Sequence, residues 1–177
     1  PRKSIPANAI LRYKYGMAVE EQSAGQRNKE PYNRFISMNF MICRDAFLKV
    51  RFDETFHLGY EDTLFGMQLE QAGVEILHID NPVYHLVEEN SEQFLMKIRR
   101  AVRNLDGHIE QMHSHVKLLR WYACVKRLGM APLVAFLFRQ IEKRLVSNLT
   151  SRKPSLKLFA FYKLGYLCNF LSQKKPD

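Results

Sequence analysis

The residues best suited to chemistry in this 177-residue chain are the adjacent carboxylates Glu61 and Asp62, with Asn39 before them and His85 after them. Gly59-Tyr60-Glu61-Asp62 places both acids just behind a flexible glycine and ahead of an apolar run, where a helix begins. Carboxylates there meet free N–H groups and the positive end of the helix dipole, which stabilise the anion. An anionic Asp on a rigid element at a cleft edge can take a proton from a substrate hydroxyl. The same spacing also describes an ordinary helix cap, with Asp62 at the N-cap and Glu61 a solvated neighbour. His85 lies beyond a strand-like run and the Asn81-Pro82 turn, so it can return to the same end of a sheet. Its imidazole suits a divalent metal as one ligand among several, or a backbone carbonyl as a partly buried structural histidine. Arg27 and Lys29 sit in a polar loop that could clamp a diphosphate by folding over a site, and a solvated loop would carry the same charges. His108, His113 and His115 have no Cys or carboxylate at ligand spacing and read as helix surface.

The elements that must position these residues point to an α/β layer. Residues 1–34 are polar and punctuated by Pro6, Gly16, Gly25 and Pro31, which predicts a strand or two and then a long loop. Phe35–Ile42 reads as a buried strand, and Arg44–Val50 as a short helix with Asp45 near its start. Asp62-Thr63 opens a helix that Gly73 closes, and Val74–Asp80 alternates as a strand before Asn81-Pro82. Strand, helix, strand in that order gives the α/β expectation. From Ser91 the period becomes helical. Phe94, Ile98, Val102 and Leu105 form one apolar stripe ended by Asp106-Gly107, and further helices are expected near 108–128, 131–149 and 155–172.

Composition narrows the class of protein. An apolar content of 46% is too high for a disordered chain, and eight Gly with seven Pro exclude a collagen-like one. Three widely spaced cysteines make neither a disulfide framework nor a zinc site, which favours a reducing cytoplasm. The start shows no signal-peptide pattern, and Leu156–Leu171 is interrupted by Lys157, Lys163 and Asn169, too polar for a spanning helix. The net charge of +9 is divided unevenly: residues 1–90 carry 10 Lys and Arg against 13 Asp and Glu, and residues 91–177 carry 17 against 5. Two regions are expected, 1–106 and a basic helical extension over 107–177.

Five pieces in order carry a resemblance. They are Pro31-Tyr32-Asn33-Arg34-Phe35 with Asn39–Phe47, Val50-Arg51-Phe52-Asp53-Glu54, Gly59–Gly66, and Ile79–His85. Together they resemble the C-terminal, acceptor-side half of family 2 glycosyltransferases of the GT-A fold, particularly bacterial ones. The resemblance implies inverting transfer of a sugar from a nucleotide-diphosphate donor to an acceptor hydroxyl, as in cell-surface glycan synthesis on a glycan or lipid-linked acceptor. It implies Asp62 as catalytic base, with Glu61 beside it contacting the acceptor or orienting the site. Asn39 and Tyr60 match cleft-lining positions, Arg27 a loop over the diphosphate, and His85 a position that helps hold the metal or diphosphate. A divalent cation, Mn or Mg, is implied, held mostly by a nucleotide-binding half with an Asp-x-Asp motif. This chain has no Asp-x-Asp, and residues 1–34 do not supply that half, so the expectation is a truncated chain inactive alone.

A second reading is a membrane-surface module. The basic back half interleaves Lys and Arg with Trp121, Tyr122, Phe136, Phe138, Phe159, Phe161, Tyr162, Tyr166 and Phe170, a pattern that suits the anionic inner face of a plasma membrane. Helices packed on the domain with a basic outer face would show the same composition. A nucleic-acid partner is not expected, since no RNP-like, zinc-finger or helix-turn-helix pattern occurs.

Overall fold

The computed structural model describes residues 8–54, 56, 59–83 and 89–174. The first helix, α1 (Ile10–Tyr15), runs on into a wider π turn at Gly16–Glu20. A single-turn α2 (Ala24–Arg27) follows, held by a reciprocal capping box between Ser23 and Gln26. After a 3₁₀ turn at Tyr32–Arg34 come α3 (Arg44–Lys49) and α4 (Glu61–Gln71). Then α5 (Ser91–Asn104), the short α6 (Ile109–Met112), α7 (Lys117–Arg127), α8 (Ala131–Leu149) and α9 (Leu156–Gln173) complete the chain.

The described residues are all-helical, which overturns the α/β expectation and with it the GT-A half-fold; no strand occurs among them. The opening segment, expected to hold a strand or two, contains α1 and the π turn instead. Phe35–Ile42 is a turn-containing loop: Phe35 is buried, but Met41 is 98% exposed. Over 74–79 the period of two is real, with Val74, Ile76 and His78 turned inward and Glu75, Leu77 and Ile79 outward. What is missing is the ladder. A strand needs a neighbouring backbone, and here side chains stand in for one. The Asn28 amide donates to His78 O and accepts from His78 N, both at 2.8 Å, and Arg27 donates to Ile79 O at 3.0 Å.

The helices from α3 onward arise where local signals placed them. An Asn90–Gln93 capping box opens α5, whose Phe94, Val102 and Leu105 are buried and whose Ile98 packs at the edge of the core. Pro132 sits in the first turn of α8, where its missing N–H has no intrahelical partner to lose. Helices α8 and α9 form a hairpin close enough that a Cβ at Gly165 would lie 2.6 Å from the Phe138 ring. Against α9, α5 lays a ladder of cations on aromatic rings. Arg99 donates to Tyr162 Oη (2.5 Å) and Glu142 (2.7 Å), and Arg103 donates to Tyr166 Oη (2.6 Å). Both guanidinium groups also lie within 6 Å of Tyr166's ring centre, so charge, hydrogen bonds and stacking fix one register.

Helix α4 joins two cores. Leu64 and Met67 enter the main core built from α1, α5 and α7–α9, whereas Phe65 and Leu69 enter a smaller one with Phe35 and Val50. The buried residues of α4 lie on more than one side of the helix, and burying each such apolar side chain stabilises by about 1.5–3 kcal/mol. Phe52 stacks on Phe65 with ring centres 4.0 Å apart. Gly66 lets the 3₁₀ turn close over α4, since a Cβ there would lie 2.3 Å from Tyr32 O.

Candidate functional site

The turn before α4 is held in an unusual shape. Gly59 has φ +95° and Tyr60 φ +71°, the only non-glycine with positive φ among the described residues. For a residue with a Cβ the left-handed region is costly, and such strain gathers at sites where the surroundings over-determine the backbone. Here the surroundings are α5: a Cβ at Gly59 would lie 2.4 Å from Ala101 Cβ. Tyr60 packs against the main core, and burial, with a smaller contribution from Tyr15, pushes its phenol well above the usual range.

The strained turn delivers Glu61 and Asp62 to the first turn of α4. The N-cap is Tyr60, with no side-chain cap, so Asp62 is not the capping residue that its sequence position suggests. One oxygen of each acid, Glu61 Oε2 and Asp62 Oδ1, is buried with no hydrogen-bond partner among the described residues. Two half-buried carboxylates at a helix N-terminus, neither capping nor fully paired, can accept an O–H from a hydroxyl-bearing ligand.

Arg27 and Asn39 belong to a second grouping, around the main chain of residues 79–81. Arg27 donates to Ile79 O (3.0 Å) and leaves its Nε buried without a partner among the described residues. Asn39 donates to Asn81 O (3.0 Å), Asp80 Oδ1 accepts from Ala24 N (3.0 Å), and His78 Nε2 bonds Pro31 O (2.9 Å). The polar loop therefore does fold over another part of the chain, through bonds that no local pattern announces. No hydrogen bond, ion pair or ring contact among the described residues links this grouping with Tyr60-Glu61-Asp62. His85 lies outside the described residues.

No group of three His, Cys, Asp or Glu side chains among the described residues could hold a metal ion. The three downstream histidines each have their own contact. His108 packs edge-on to Phe56, His113 donates to Glu110 O, and His115 lies between Asn33 Oδ1 (2.8 Å) and Glu70 (3.7 Å). Two open depressions lie away from the Glu61-Asp62 turn. One, of about 470 Å³, is lined by Glu89, Gln93, Met96, Lys97 and Arg100, and the other, of about 330 Å³, by His113, Arg120, Ala123, Cys124 and Arg127.

Sequence reasoning missed the buried Arg12, which holds Glu20 (2.9 Å) and Glu89 (3.3 Å) and lies over the Phe94 ring. It also missed the left-handed Tyr60, for which the adjacent glycine is the one available signal. Compared with protein-family models, curated proteins and solved structures, the chain matches none.

Proposed function

We propose that this chain serves sugar transfer from a nucleotide-diphosphate donor to an acceptor hydroxyl, and that the Tyr60-Glu61-Asp62 turn is its acceptor-side element. The observation that carries the reading is the pair of buried carboxylate oxygens, without a hydrogen-bond partner among the described residues, that a strained turn holds at a helix start. A turn built only for stability would pair those oxygens or leave them in water. The ordered resemblance across residues 31–85 supplies the reaction class. Asp62 accepts the acceptor's proton as the hydroxyl oxygen attacks the anomeric carbon from the face opposite the leaving diphosphate. That bond forms as the bond from the anomeric carbon to the donor oxygen breaks, and the diphosphate departs with the electron pair. Glu61, one residue earlier, orients the acceptor through a second hydroxyl. Arg27, whose Nε has no partner among the described residues, is assigned to the diphosphate. A divalent cation, where bound, would supply neutralising charge to the leaving diphosphate; no group among the described residues fits one.

The test is nucleoside diphosphate release from a panel of nucleotide sugars, with glycan and lipid-linked acceptors, by protein expressed from its entire reading frame. Asp62→Asn lowers kcat by about 10²–10⁴, the range for a positioned acid or base, while donor affinity stays within about twofold. Equal loss of donor binding and turnover, or an unchanged rate, refutes the assignment.

A further inference from the structure

We propose that the corner between α7 and α8 seats in the headgroup layer of an anionic phospholipid bilayer. The inference is independent of the sugar-transfer reading, because it rests on a different part of the molecule. The two helices turn through 115° over the residues between Arg127 and Ala131, with Gly129 at φ +69°. Around that turn Trp121 (57%), Leu128 (62%), Met130, Leu133, Phe136 and Leu137 are all exposed. They follow helical spacing: Trp121 and Leu128 lie two turns apart on α7, and Leu133, Phe136 and Leu137 share one stripe on α8. The stripe opposite, Val134, Ala135 and Phe138, is buried, so α8 is apolar on its inner and outer faces over its first two turns. No single helix among the described residues is long and apolar enough to cross a membrane. A bent corner that lies in the interface fits this pair better than a span.

The structure also sorts the aromatic residues of the tail. Tyr122, Phe138, Phe159, Tyr162 and Tyr166 are buried in the core, Phe161 packs against it and Phe170 lies under Arg103 and Lys174; Trp121 and Phe136 are the exposed ones beside the corner. Charge decides the occupant. From Gln111 to Ile141 there are five Lys and Arg and no Asp or Glu. Arg120 and Arg127, together with His113, line the open depression on α7 beside the Trp121 turn, where lipid phosphates can reach them. An apolar apex with an indole at its edge and a rim of one sign matches the acyl boundary and phosphates of an acidic leaflet.

The chain contains a single tryptophan, so Trp121 reports on its own surroundings. The full chain is titrated with vesicles of phosphatidylcholine alone and of phosphatidylcholine with about 30% phosphatidylglycerol, a mixture with a negative surface potential. Binding to the acidic vesicles is at least about tenfold tighter, shifts Trp121 emission to the blue and weakens in about 0.5 M NaCl. Leu133→Glu with Phe136→Glu, both at exposed positions, abolishes the shift while the circular dichroism is unchanged. Lys126→Glu with Arg127→Glu removes the preference for acidic lipid. Emission unaltered by either vesicle, or equal affinity for both, overturns the proposal. A blue shift without lipid that tracks dimer formation in sedimentation overturns it in favour of a second copy of the chain.

Discussion

Replacing Asp62 by Ala separates a residue kept for chemistry from one kept for the fold, because the two roles predict opposite signs of stability change. A carboxylate oxygen buried without a donor costs about 1–3 kcal/mol. Its place in the first turn of α4 offsets about 0.3–1 kcal/mol of that through the helix dipole. Alanine removes both terms and gains about 0.5 kcal/mol of helix propensity over Asp. The expected result is a protein more stable by about 0.5–3 kcal/mol, which for a chain of this size raises Tm by about 1–8 °C. A helix cap replaced by Ala would lose about 0.5–2 kcal/mol. Urea unfolding followed by circular dichroism at a constant m-value reads the difference directly. A loss of more than about 0.5 kcal/mol would show that Asp62 anchors the helix, and the base assignment would lose its support.

Other perturbations follow from the same geometry. Gly66→Ala forces a Cβ to within 2.3 Å of Tyr32 O, so the 3₁₀ turn must shift. A loss of about 1–3 kcal/mol, or roughly 3–8 °C in Tm, is expected by thermal unfolding. Lys163 lies over Tyr15 and Phe159, and burial, followed by the charge of Lys117, pushes its amine down to about 8. Its pKa is lower folded than unfolded, so the unfolded chain binds more protons between about pH 8 and 10.5, and stability rises with pH across that window. The buried phenols of Tyr15, Tyr60, Tyr122 and Tyr162 are raised above 10, and their contribution is lost as pH climbs past 10. The unfolding free energy from urea titrations should therefore rise by about 1–2 kcal/mol from pH 8 and fall again above about pH 10, and Lys163→Met should remove the rise. Cys43 and Cys124 are exposed, whereas burial pushes the Cys168 thiol up to about 11. Ellman's reagent at pH 8 should titrate two thiols quickly and the third only on unfolding.

The helices from α3 onward were legible because their signals are local, whereas α1 and α2 lie where a strand and a loop were expected. The stripe Phe94, Ile98, Val102 and Leu105, the stop at Gly107 and the breaks at Gly129 and Pro154 each act within a few residues of the backbone they shape. The acidic pair at the start of α4 was legible for the same reason. Its role was not, because Tyr60 and not Asp62 takes the N-cap position, in a left-handed backbone that follows a Gly59 pressed against Ala101 of α5, 42 residues away.

The segment 74–79 marks the boundary between the two kinds of information. Alternation of Val74, Ile76 and His78 with Glu75, Leu77 and Ile79 dictated an extended chain with one inward face, and that is what forms. A sheet is a property of at least two segments, and the described residues offer Asn28 and Arg27 side chains where a second backbone would be needed. The tail behaves in the same way. Composition alone determined that it would be helical, aromatic and basic. Only the packing of α9 between α5 and α8 decided that Tyr162 and Phe138 are core and that Trp121 and Phe136 face outward, because burial depends on which helices meet, and short-range periodicity is silent on that.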